Sequence, residues 1–192
     1  MNVARAPGAP QTPRMVGVPM SSVLREPRQR IEVDAGEPRV SLPSEVLHEV
    51  CAHALEAQPE ECCGLVLGTS ERPFARVVRC RNEMTAKHRA EPEVFPRDGH
   101  SAYYMNELDY LQAQRQAEEQ GELVSAIYHS HVGAGPYLSE MDQEYAEHPL
   151  FPFPEAAQIV LAVWDRKVAG GGIFVRDVDQ RFRGASLELL HI

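Results

Sequence analysis

What this 192-residue chain lacks narrows its reading first. No apolar run approaches the roughly 20 residues that a membrane-crossing helix needs. The N-terminus carries no apolar stretch of the secretory kind, so a cytoplasmic protein is expected. Basic residues are outnumbered, 19 Lys and Arg against 28 Asp and Glu, for a formal charge of -9. Phosphate neutralisation needs clustered cations, so no nucleic-acid partner is expected. Cysteine is limited to Cys51, Cys62, Cys63 and Cys80, without the C-x-x-C spacing of a structural zinc site or redox pair. Buried free thiols are the expected state. No internal repeat is visible.

Residues 1–40 mix Pro, Arg, Gly and Ala with few large apolar groups, a composition that cannot offset the entropy of ordering. They read as a flexible extension, with Arg5, Arg14, Arg25, Arg28 and Arg30 spread along it. Residues 41–192 read as one catalytic domain. Val46, Leu47, Val50, Ala54 and Leu55 recur at helical spacing, with Ser44 as the expected N-cap. Strands are expected over Cys62 to Gly68 and Phe74 to Cys80, joined by a hairpin. Residues 82–100 carry Pro92, Pro96 and Gly99 among charges and read as a long functional loop. A helix is expected from about Tyr103 to Gln120, with Tyr104, Leu108, Leu111 and Ala117 near one face and Gly121 as the stop. Strands follow over Leu123 to Tyr128, Gln158 to Trp164, Gly172 to Arg176 and Phe182 to Leu190, with a short helix after Ser139. Short turns between successive strands favour antiparallel pairs. The fold class is therefore α+β, a mixed and largely antiparallel sheet flanked by helices.

The informative segment runs Tyr128-His129-Ser130-His131-Val132-Gly133-Ala134-Gly135-Pro136-Tyr137-Leu138-Ser139-Glu140-Met141-Asp142. Residues two apart on a strand share a face. His129 and His131 therefore point together, while Ser130 faces away, and two neutral imidazoles so placed can share one Zn²⁺. The glycine-bearing loop after them can turn sharply enough to deliver Ser139 and Asp142 beside the histidines. With Asp142 as third ligand, one tetrahedral position stays open, the arrangement of catalytic rather than structural zinc.

This segment resembles the signature of the JAMM (MPN-plus) zinc metalloproteases, in the compact prokaryotic form: His-Ser-His, seven residues, Ser, two residues, Asp. The resemblance runs from about Arg39 to the C-terminus and implies the JAMM fold, similar to that of the cytidine deaminases. It also implies an upstream glutamate in an E-x-x-G context, matched by Glu61-Cys62-Cys63-Gly64. Glu60 points to the opposite side of an extended chain and is the lesser candidate. Val132 and Leu138 stand where many members have proline. By the resemblance, His129, His131 and Asp142 hold zinc, Glu61 is the general base and then the acid, and Ser139 stabilises the oxyanion. The implied substrate is a ubiquitin-like or sulfur-carrier protein, cut after its Gly-Gly tail. A glycine tail can thread a narrow groove as an added strand.

Other readings stand beside these. Ser-x-x-Asp opening a helix is also a capping box, and Asp142 is also a favourable charge at a helix N-terminus. His48, His53, His88, His100, His148 and His191 lack a partner at ligand spacing and receive no role. Cys62 and Cys63 are expected to pack on the two faces of a strand, and Trp164 in the core. Tyr137 is a weaker substrate-contact candidate. The alternatives to a peptidase are a non-catalytic scaffold of the same fold and a RadC-like protein. A zinc deaminase would require H-x-E and P-C-x-x-C, which this chain lacks.

Overall fold

The computed structural model describes residues 28–189. The elements in chain order are β1 (Val33–Asp34), α1 (Ser44–Glu56), β2 (Cys63–Gly68), β3 (Arg76–Cys80), α2 (Met84–Ala90), α3 (Glu107–Gln120), β4 (Leu123–Val132), α4 (Glu140–Ala146), β5 (Ala157–Trp164), β6 (Lys167–Arg176) and β7 (Phe182–Ser186). The strands form one seven-stranded sheet in the order β1, β7, β6, β5, β4, β2, β3. The pairs are antiparallel except β4 with β5 and β1 with β7. The α+β expectation holds. The parallel β4–β5 pair arises because a loop and α4 separate these strands, and a parallel return needs such a crossover. Among the described residues no helix is long and apolar enough to cross a membrane.

Alternation along the strands divides the core between two faces. On one, α1 buries Val46, Leu47, Val50, Cys51 and Ala54 against Cys62, Val66, Tyr128, Ile159 and Leu161. On the other, Ala113 and Ala117 of α3 lie over Cys63, Leu65 and Ile127. Each fully buried Leu, Ile or Val contributes about 1.5–3 kcal/mol. All four cysteines are free and buried, and Cys62 and Cys63 occupy opposite faces of the sheet as expected.

Several local expectations are corrected. Helix α1 begins at Ser44 itself, with Pro43 in the cap position and no side-chain cap. The presumed loop 82–100 contains α2, which starts where Asn82 Oδ1 accepts from the Met84 N–H at 2.9 Å. Helix α3 starts at Glu107, capped by Asn106, and ends at left-handed Gly121. It turns small residues to the sheet, leaving Leu108 and Leu111 63% and 50% exposed. Trp164 is half-exposed at the tip of the β5–β6 hairpin rather than in the core. Strand β4 continues through the histidines to Val132, four residues beyond its expected end.

The expected flexible extension is also corrected over residues 28–40. The Ile31 N–H donates to Leu138 O, and the Leu138 N–H donates to Ile31 O, both at 2.9 Å. Val33–Asp34 pairs with β7, and the Val40 N–H donates to Ser186 O. Gln143 Nε2 donates to Gln29 O, Arg28 pairs with Glu147 at 2.6 Å, and Arg30 lies over the Tyr137 ring. Backbone pairing and these side chains tie the segment down where composition alone offered little to bury. Arg5, Arg14 and Arg25 lie outside the described residues.

Gly64 has a specific steric reason. A Cβ there would come within 2.4 Å of Val78 O and 2.5 Å of the Tyr128 ring. Tyr128 crosses this gap to His53, where its hydroxyl and His53 Nδ1 are 2.7 Å apart. Burial, assisted by the Arg79 charge, lowers the His53 pKa to about 4, so a neutral ring shares this hydrogen bond with the Tyr128 hydroxyl. Gly64→Ala should therefore destabilise the domain by about 1–3 kcal/mol through overpacking against rigid backbone. Urea unfolding of the two proteins checks this, and equal midpoints would contradict it.

Candidate metal centre

The centre is assembled by three adjacent features of the sheet. His129 and His131 lie on the α3-facing side of β4, and Asp142 sits in the first turn of α4. One ligand atom from each of the three lies within 4.8 Å of the others. His129 Nε2 and His131 Nε2 are 3.2 Å apart, and Asp142 Oδ2 lies 3.5 and 3.8 Å from them. A tetrahedral zinc with bonds of about 2.0–2.2 Å places its ligand atoms roughly 3.3–3.6 Å apart, so the donor set fits such an ion. His131 Nδ1 lies 2.9 Å from Gly135 O and donates to it. That bond leaves the lone pair on Nε2, facing the centre.

Electrostatics agree with this geometry. Burial opposes ionisation of Asp142, yet His129, His131 and the Ser139 hydroxyl hold its pKa far below the usual carboxylate range. Burial lowers the His131 pKa, but Asp142 and Glu61 outweigh it and the net shift is upward. Such a cluster is arranged to share a positive charge.

Ser139 and Asp142 form a complete capping box. The Asp142 N–H donates to Ser139 Oγ, the Ser139 N–H donates to Asp142 Oδ2, and Ser139 Oγ donates to Asp142 Oδ2 at 2.6 Å. The cap and the ligand alternatives for this pair are thus compatible, because the box is what aims the carboxylate oxygen at the histidines.

Glu61, Ser139, His131 and Asp142 line one cavity of about 370 Å³. Glu61 is 6% exposed. Burial, with a contribution from Asp142, pushes its pKa up to about 8 against the opposing effects of His131 and Arg97. Its backbone is held by Gly99 O, which accepts the Glu61 N–H at 2.7 Å, and by Asn82 Nδ2, which donates to Glu61 O. Glu60 does not line this cavity and instead accepts from the Thr85 hydroxyl at 2.7 Å. Tyr137 does line it, with its ring centroid 4.8 Å from that of His131. Of the histidines given no role, His100 borders the cavity, where it pairs with Asp98.

The residues this arrangement needs extend beyond the motif positions. Ser130 faces away from the centre, and its Oγ accepts the Cys62 N–H at 2.9 Å. This bond sets the Glu61 segment against the two histidines. Tyr103 stacks on His129, with ring centroids 4.7 Å apart. No spacing rule points to Tyr103, because it reaches the site from the segment before α3.

The profile described as prokaryotic homologs of the JAB domain matches residues 43–176. The chain belongs to this JAB-domain family. A solved protein of Desulfitobacterium hafniense is similar at 20% identity and a TM-score of 0.53, over 78% of this chain and 90% of that one. One from Salinibacter ruber is similar at 24% identity and a TM-score of 0.51, over 80% and 92%. Both likenesses concern the fold. No curated protein matches. The segment from Arg28 to Leu42 lies outside the JAB-domain match, yet it braces the motif loop.

Ser130→Ala leaves the buried Cys62 N–H without its acceptor and should cost about 1–3 kcal/mol, measured by denaturant unfolding. Purified wild type should hold about one zinc per chain by elemental analysis, and His131→Ala should lose it. Equal zinc in both would remove His131 from the centre.

Proposed function

We propose that this JAB-domain protein is a zinc-dependent peptidase or isopeptidase. In this reading it hydrolyses the bond after the C-terminal glycine tail of a ubiquitin-like or sulfur-carrier protein in the cytoplasm. The observation that carries the reading is the convergence of three buried ligand atoms beside a cavity that also holds Glu61 and Ser139. Three protein ligands leave a coordination position open, which distinguishes a catalytic site from a structural one.

His129 Nε2, His131 Nε2 and Asp142 Oδ2 are the atoms that would hold the ion. When bound, zinc supplies Lewis acidity toward water and toward a carbonyl oxygen. Glu61 accepts the proton that the attacking water loses, holds it in a buried site, and passes it to the leaving nitrogen as the C–N bond breaks. The products are a carboxylate and an amine. Ser139 turns its hydroxyl from Asp142 to the carbonyl oxygen as negative charge develops there. Tyr103 and Tyr137 pack against the two imidazoles and restrict their orientation.

The test is cleavage of a ubiquitin-like protein extended beyond Gly-Gly by a short peptide. Wild type should cleave it in a chelator-sensitive way. Glu61→Gln should retain zinc and lose about 10²- to 10⁴-fold in kcat, the usual worth of a positioned acid–base group. Full activity in that variant sinks the assignment of Glu61. Zinc binding without cleavage of any glycine-tailed substrate favours the scaffold instead.

A further inference from the structure

The cavity is larger and more apolar than a glycine tail requires. Met84, Phe95, Tyr104 and Met105, with Arg97 among them, form an apolar wall of the cavity that Glu61 also lines. This wall is held in place before any substrate arrives. Phe95 and Tyr104 meet edge to face at 5.9 Å, and Lys87 lies 4.2 Å from the Tyr104 ring centroid. His88 Nδ1 lies 2.7 Å from Phe95 O, and the Tyr104 hydroxyl donates to Glu107. The loop carrying Arg97 is fastened to Glu61 through Gly99 O.

Arg97 is the second feature. It is exposed, lines the cavity, and lies close enough to Glu61 for its charge to act on that carboxyl. Among the described residues it has no carboxylate within ion-pair distance, as is also true of Arg39, Arg72, Arg89, Arg166, Arg176 and Arg181, but of these arginines only Arg97 lines the cavity. In a chain of net charge -9, an unpaired guanidinium at a cavity fits an anion, and a planar carboxylate matches its donor fork.

Resting on the peptidase reading above, we propose that the leaving group is a C-terminal residue with a large apolar or aromatic side chain, recognised by this wall and, through its free α-carboxylate, by Arg97. The side follows from the chemistry. The leaving nitrogen must reach Glu61 to receive its proton, so whatever is attached to that nitrogen lies along the wall that Glu61 shares with Arg97. Hydrolysis adds water across the C–N bond, giving the tail a carboxylate and releasing a free amino acid, with no other reactant.

Binding can be read apart from turnover. Calorimetry on zinc-loaded Glu61→Gln would compare N-acetyl-Gly-Gly-Phe, its C-terminal amide, and N-acetyl-Gly-Gly-Gly. The Phe acid should bind at least tenfold tighter than either of the others. Adding Arg97→Gln should bring the acid to the level of the amide while preserving the preference for Phe over Gly, and Phe95→Ala should reduce that preference instead. Equal binding of acid and amide, or no binding of the acid, overturns the proposal. If the discrimination is found but wild type cleaves none of these peptides or the carrier fusion, the peptidase reading fails and the recognition stands. If wild type cleaves all C-termini with equal kcat/KM, the recognition fails and the peptidase reading stands.

Discussion

A carboxylate that is nine-tenths buried must be met by positive charge or hydrogen-bond donors, because desolvation of an unpaired ion costs several kcal/mol. Asp142 meets this demand through two imidazoles and the Ser139 hydroxyl. Much of the surrounding structure serves that constraint. The capping box fixes the carboxylate at the start of α4, the Gly135 carbonyl fixes the His131 tautomer, and Tyr103 covers the His129 face. The low cost of placing a cation among these groups is what makes the cluster able to hold a metal ion.

The same centre explains features of the sheet that are remote from it. Ser130 connects the back of β4 to the Cys62 amide, so the register between the histidines and Glu61 is held by a buried hydrogen bond. Gly64 admits the Tyr128 ring, and His53 completes that contact from α1. The segment from Arg28 to Asp34 then fastens the loop and α4 from outside, through Leu138, Gln143 and Glu147. Loop shape in this JAB-domain protein is thus maintained by pairing with Ile31, although Val132 and Leu138 replace the prolines seen in many JAMM members.

Much was legible in the sequence where local rules apply. The alternation of β4 predicts that His129 and His131 share a face, and Ser-x-x-Asp predicts a helix start that also presents Asp142. The E-x-x-G resemblance points to Glu61, and Glu61 lines the same cavity as His131 and Asp142. The α+β class followed from turn spacing. Local rules fail where burial is decided by distant partners. Leu108 and Leu111 match a helical stripe but lie outside, because the close approach of α3 to the sheet is made by Ala113 and Ala117. Residues 28–40 have a composition that resists burial, yet they are ordered by backbone pairing with strands encoded a hundred or more residues later.

The sequence by itself determined the ligand types, their spacing, the strand that aligns two of them and the cap that orients the third, since all of these depend on neighbours within a few residues. Only the tertiary structure decided that Tyr103 stacks on His129, that Glu60 is held by Thr85, and that Arg97 borders the cavity without a carboxylate at ion-pair distance among the described residues. These relations join the segment before β2, the α2–α3 region and β4, and no periodicity records a contact between segments whose separation is closed only by folding.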